Sequence, residues 1–133
     1  MDRDTQVSHL MTKKVIVADL KTKFSNILTL FLDYHIYHLP VVFDDKLLGI
    51  ISMTDALKYY RSGASEEDFQ VEDVMTHNPK TLHANDTLAK AASILAEANF
   101  RTLPVVDDAG KIVGILSNKD LVRVLDKMLS TEE

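Results

Sequence analysis

The apolar positions of this chain run through the same succession of patterns twice. A short β-prone piece comes first, Val15–Val17 in one succession and Thr81-Leu82 in the other. A stripe at helical spacing follows, Phe24, Ile27, Leu28, Phe31 and Leu32 first and then Leu88, Ala91, Ala92, Leu95 and Ala96. Asn85-Asp86-Thr87 supplies N-cap chemistry before the second stripe. The stripes carry no polar atoms to orient a ligand, so they predict core. Paired apolar runs around turn residues come next: Val41–Phe43 and Leu47–Ser52 about Asp44-Asp45-Lys46, then Val105-Val106 and Ile112–Ser117 about Asp107–Lys111. Each predicts a hairpin. Pro40 and Pro104 are expected to open their strands, because proline lacks the N–H that a strand's middle needs. A last helix closes each unit, from Asp55 to about Arg61 and from Asp120 to about Leu129. Strand, helix, strand, strand, helix is an α+β unit with an antiparallel hairpin, and the first strand can join its sheet through the intervening helix.

The letters repeat as well as the periods. LPVVFDDKLLGIISMTD at 39–55 returns as LPVVDDAGKIVGILSNKD at 103–120, and Met11-Thr12 upstream returns as Met75-Thr76. One extra residue in the second turn then shifts the register, so Gly49, Ser52 and Asp55 answer to Gly114, Ser117 and Asp120. An internal repeat fixes architecture before any other reading. It divides the chain into repeat 1 over 1–62, an acidic linker over 63–70 and repeat 2 over 71–133. A repeat of roughly 60 residues buries too little surface to be stable alone, so the two are expected to form one integrated module.

Composition narrows the class without naming it. A hydrophobic content of 46% with mixed charge belongs to a folded globular chain. With no cysteine there is no disulfide, thiolate nucleophile or cysteine metal site. The start MDRDTQVSHLMT lacks a signal peptide's basic and apolar regions, and the apolar patch around Ile27–Leu32 is far shorter than a membrane span. Cytoplasm is the expected location. A net charge of −5 disfavours a sequence-independent polynucleotide partner, though not a small anion in a local pocket.

The candidate site lies in Gly49-Ile-Ile-Ser52-Met-Thr-Asp55 and Gly114-Ile-Leu-Ser117-Asn-Lys-Asp120, where a strand runs into a helix. Such a junction aims free backbone N–H groups and the positive end of a helix dipole at one place, which suits phosphate. The Ser hydroxyl adds a donor, and an Asp one turn on can accept both hydroxyls of a ribose. Glycine inside a strand marks a bulge or a close backbone approach. The plain alternative is that Ser followed by an acid three residues on is nearly a capping box, stabilising without any ligand. Two copies in register favour a site.

With these motifs the chain resembles the tandem cystathionine-β-synthase (CBS) domain pair, or Bateman module, over nearly its whole length, from Val7 to about Leu129. The resemblance rests on Val71, Met75 and Thr76 with their near-equivalents Val7, Met11 and Thr12, on LPVV before each hairpin, and on Gly-h-h-Ser-x-x-Asp after it. It implies two β-α-β-β-α repeats packed sheet to sheet about a pseudo-two-fold axis, with clefts between them for AMP, ADP, ATP or S-adenosylmethionine. It also implies a disc-like homodimer. Carried over by residue, Asp55 and Asp120 would hold ribose hydroxyls, while Ser52 and Ser117 would contact ribose or phosphate. Tyr37-His38 and Arg101-Thr102 would face phosphate, with Thr54 and Lys119 beside them. Backbone at Val17-Ala18 and Thr81-Leu82 would line adenine. Many relatives have Thr at the two Ser positions, which keeps the hydroxyl. Tyr37 replaces a basic residue, whereas Arg101, Lys119 and Lys80 equip the second site. By that count of cations the Asp120 site is the tighter.

Other constellations add no chemistry. His35 and His38 are separated by the turn before Leu39-Pro40, and His77 and His83 lack a ligand set, so a protein-bound metal is not expected. Asp44-Asp45 and Asp107-Asp108 read as solvated hairpin tips, and Glu66-Glu67-Asp68 as solvated linker. No phosphate-binding loop, zinc-protease motif or nucleophile elbow occurs. The reading is a stand-alone regulatory module, not an enzyme, with an adenine nucleotide as regulatory ligand, no cofactor, and a separate, unnamed effector protein. A structural dimerisation module with vestigial clefts is the alternative, and a nucleotide hydrolase a distant third.

Overall fold

The computed structural model describes residues 1–63, 70–97 and 100–130, so the linker expected over 63–70 falls largely outside the described residues. Two compact units form, and they do not follow the order of the repeats. Residues 16–79 make one unit, while the other joins 1–15 to 80–133.

The 16–79 unit has a sheet in the order β1 (Ala18–Asp19), β2 (His38–Phe43), β3 (Lys46–Ser52), β4 (Thr76–His77). β1 runs parallel to β2, and the other neighbours pair antiparallel. Helix α1 (Phe24–Tyr34) links β1 to β2, and α2 (Met53–Arg61) follows β3. A one-turn α3 (Val71–Val74) precedes β4. Phe24, Ile27 and Phe31 of α1 bury against Leu39, Val41, Ile51 and Ala56, with Val71, Val74 and Met75 closing the cluster. Each such large side chain contributes about 1.5–3 kcal/mol through burial. Leu32 does not join them. It is 69% exposed, because the buried arc of α1 is narrower than the stripe in the sequence.

The second unit repeats the plan with β5 (Leu82–His83), β6 (Thr102–Val106) and β7 (Ile112–Ser117), plus α4 (Leu88–Ala96) and α5 (Asn118–Ser130). Thr87 caps α4 by accepting from Lys90 N–H at 3.2 Å. Ala91, Leu95, Leu82, Leu103, Val105 and Leu116 form its core, with Val7 from the N-terminal stretch fully buried among them.

Three local expectations change. The strand expected over 15–17 forms at Ala18–Asp19, and its counterpart begins at Leu82 rather than Thr81, because β1 and β5 pair with only two residues each. Pro40 and Pro104 lie inside β2 and β6, paired with Ile50 and Ile115. The physical reason is edge availability. Val42 and Val106, two residues on and turned to the same edge, accept from Leu20 and Ala84 N–H groups at 2.9 and 3.0 Å. The short parallel strands end before reaching the prolines, so no partner there requires an N–H. Each hairpin also bulges just before its glycine, at Leu48 and Val113, where the register skips one residue.

The N-terminal stretch and the Met75 stretch change places. Thr76 pairs with Ile50 of β3, while Thr12 bridges to Ile115 of β7. Each Met-Thr therefore extends the sheet formed by the other repeat's hairpin. The two glycines make room for it: a Cβ on Gly49 would lie 2.7 Å from Thr76 O and 2.9 Å from Met75 Cγ. On Gly114 it would strike Met11 Sδ, with Cγ at 2.7 Å. A strand glycine here means close approach, and the partner comes from the other sequence repeat.

Candidate nucleotide-binding site

The strand–helix junctions bring the expected groups together within each unit. Ser52 ends β3 as the N-cap of α2, and its Oγ accepts from Asp55 N–H at 3.0 Å. His38 stands directly across the ladder from Ser52, and Met53 N–H donates to Tyr37 O at 2.8 Å. The other unit matches: Thr102 faces Ser117, and Asn118 N–H donates to Arg101 O at 3.0 Å. Antiparallel pairing thus sets the two residues before each Leu-Pro beside the Ser-x-x-Asp turn.

Side-chain exposure sorts the rest. Tyr37, Thr54, Arg101 and Lys119 are exposed around the junctions, while His38, Ser52, Asp55, Thr102 and Ser117 are half-buried. Ala18 and Leu82 are fully buried, and Val17 and Thr81 half-buried. Ala18 and Leu82 thus turn their side chains into the core. Only their backbone could meet a ligand.

The carboxylates differ sharply. Asp120 is 7% exposed, and its Oδ2 accepts from Ser117 N–H at 2.8 Å and Ser117 Oγ at 3.1 Å. Its own N–H reaches Ser117 Oγ at 3.3 Å, so the capping box anticipated as the plain alternative is fully made. Oδ1 accepts from Thr12 Oγ1 at 3.3 Å and lies 3.6 Å from Arg123 Nη1. Asp55 makes only the backbone half of that box. Among the described residues no donor reaches its carboxylate. Thr12 and Arg123 were missed as site neighbours because their roles depend on the exchanged strand and the helix face. The repetition of Met-Thr was the one available signal for the first.

The histidines find structural partners. His35 caps α1 in a left-handed conformation, while His38 lies on β2. His77 Nε2 lies 2.8 Å from Glu72 O. Asn85 N–H donates to His83 Nδ1 at 3.0 Å, which leaves Nε2 to carry the proton shared with Asp108 at 2.6 Å. Asp108 is solvated at the hairpin tip, as expected, and from there reaches His83. Asp44 and Asp45 form a two-residue turn with φ of 52° and 65°. Among the described residues no three potential ligands gather around a metal position, and no helix is long and apolar enough to cross a membrane.

Known proteins share this architecture. The CBS domain family model matches residues 7–62 and 71–127. Homoserine O-acetyltransferase of Methanococcus vannielii is 30% identical over 129 residues, covering 90% of this chain but 26% of that protein. L-aspartate semialdehyde sulfurtransferase of Methanocaldococcus jannaschii is 29% identical over 121 residues, covering 90% of this chain and 23% of its own. The chain thus spans about a quarter of the length of these curated relatives. Among solved structures, CBSX2 of Arabidopsis thaliana in complex with AMP superposes with a TM-score of 0.82 at 30% identity, covering 92% of this chain and 97% of that one. The CBS domain pair of protein MJ0100, in complex with 5′-methylthioadenosine and S-adenosyl-L-methionine, gives 0.80 at 28%, covering 93% and 98%.

Proposed function

The chain belongs to the CBS domain family, and we propose that it is a regulatory module that binds an adenosine-containing ligand and passes its occupancy to a partner protein. The observation that carries this reading is the Ser-x-x-Asp junction, built twice in a chain that matches, over nearly its full length, a CBS pair solved with AMP. In each unit the ribose would meet Asp55 or Asp120, and the phosphate would meet the Ser hydroxyl, the helix start and the residues before Leu-Pro. Ala18 and Leu82, the buried residues of the first strands, offer adenine backbone groups only, which suits recognition of a flat ring by its edge. On this reading the module acts by binding, not by chemistry of its own. Its effect on a partner can be no larger than the ligand's differential affinity for two arrangements.

A thermal-shift panel tests the reading. AMP, ATP and S-adenosylmethionine are expected to raise the melting temperature and guanine nucleotides much less. A ligand at 100 times its dissociation constant stabilises by about 2.7 kcal/mol. Removing a ribose acceptor, Asp55→Ala or Asp120→Ala, should weaken binding at its own site about ten- to a hundredfold, as expected for hydrogen bonds to a charged group. No shift with any adenosine compound at millimolar concentration would transfer the assignment to a structural dimerisation module.

A further inference from the structure

The two sites have the same motif but not the same vacancy. An ionised carboxylate offers about four acceptor positions. At Asp120 three are taken by hydrogen bonds, from Ser117 N–H and Oγ–H on Oδ2 and from Thr12 Oγ1–H on Oδ1, and the Arg123 guanidinium stands 3.6 Å from Oδ1 as an ion pair. A ribose diol needs two of them. The longest contacts yield first, and both lie on Oδ1, at 3.3 and 3.6 Å. At Asp55 the equivalent residues are Thr76 and Lys58, and among the described residues neither engages the carboxylate.

We infer that Thr12 is a latch: an adenosine ligand loads the Asp55 site first, and at Asp120 its ribose must displace the Thr12 hydroxyl. The inference rests on the nucleotide reading above and adds its regulation. Arg101 and Lys119, which favour the Asp120 site by charge, are exposed and act through solvent. The competition for Asp120 occurs at a buried carboxylate, where hydrogen bonds count for more. This reverses the ranking by cations alone. Thr12 also ends the stretch that docks on this unit through Val7 N–H to Asp86 O (2.7 Å), Ser8 N–H to Ala84 O (3.0 Å) and a two-way bridge with Ile115. Ligand at Asp120 and docking of the stretch's end therefore oppose each other, and linkage makes the opposition reciprocal.

Calorimetric titration of the full chain with AMP tests the latch. Two classes of site are expected, with Asp55→Ala removing the tighter. In the Asp55→Ala background, Thr12→Val should tighten the remaining site about three- to tenfold, and Thr12→Ser, which keeps the hydroxyl, should leave it unchanged. Weaker or unchanged binding with Thr12→Val overturns the latch, as does loss of the tighter class with Asp120→Ala. In the unsubstituted chain, saturating AMP should speed hydrogen exchange at the Thr12 and Ile115 amides, and slower or unchanged exchange there also overturns it. Failure of AMP, ATP and S-adenosylmethionine to bind the unsubstituted chain would sink the nucleotide reading itself, a result distinct from any of these.

Discussion

Gly49 and Gly114 show how one residue records a distant neighbour. Each lacks a Cβ because a methionine side chain lies where that atom would be, joined at Gly49 by the next residue's carbonyl, and overpacking of this kind costs about 1–3 kcal/mol. Gly49→Ala should destabilise more than Gly114→Ala, since the clash at Gly49 includes the rigid Thr76 carbonyl, whereas the three nearest atoms at Gly114 all belong to the flexible Met11 side chain. A double-mutant cycle by urea denaturation checks the exchange directly. Gly114→Ala should couple to Met11→Ala and be additive with Met75→Ala. Coupling to Met75 instead would mean that each repeat keeps its own lead-in. Asp86 supplies a pH-dependent residue. Burial opposes its charge, but the His83 amide, Lys90 and the field of His83 outweigh that and hold its carboxyl below the ordinary 3.8. A depressed folded value gives stability that is present above the unfolded value and lost as pH falls through the folded one. The stability difference between the unsubstituted chain and Asp86→Asn should thus be largest above about pH 4 and shrink below it, as read from urea midpoints across pH.

Elements follow local sequence where local chemistry is decisive. The first hairpin turns on Asp44-Asp45 with both φ angles positive, the geometry of the mirror-image turns that match strand twist. Neither residue is the best for it. Asp44→Asn with Asp45→Gly, the pair such turns prefer, should therefore raise stability, seen as a higher urea midpoint with an unchanged slope. The second hairpin solves the same problem differently. The Asp107 carboxylate accepts from Ala109 and Lys111 N–H groups, and Gly110 takes a φ of 80°. Both turns, both helical stripes and the caps at Ser52 and Thr87 were legible in the sequence, because each depends on neighbours a few residues away. The prolines inside β2 and β6 were not. Whether a missing N–H matters there depends on how far β1 and β5 extend, and nothing local states that length.

At the scale of the whole molecule, the amphipathic faces exceed what each unit covers. Val122, Leu125 and Leu129 of α5 and Tyr60 of α2 are all more than half exposed. Paired with the family resemblance, such faces favour self-association. Light scattering should give about twice the 15.0 kDa chain mass, and Leu125→Glu should shift it toward one chain mass. A monomer of the unsubstituted chain at micromolar concentration would count against a dimer.

The sequence by itself determined the repeat, the α+β units, most of the core stripes and the strand–helix junctions that hold Ser and Asp. All are set by periodicity and by contacts over three or four residues. Only the tertiary structure decided which stretch completes which sheet, and hence that Thr12 meets Asp120 across a separation of 108 residues. The same exchange separates one motif into a carboxylate holding three hydrogen bonds and another that, among the described residues, accepts none. The two copies read alike because their local letters match. They differ because a carboxylate's capacity is filled by whatever the rest of the fold brings to it, and that is a property of packing.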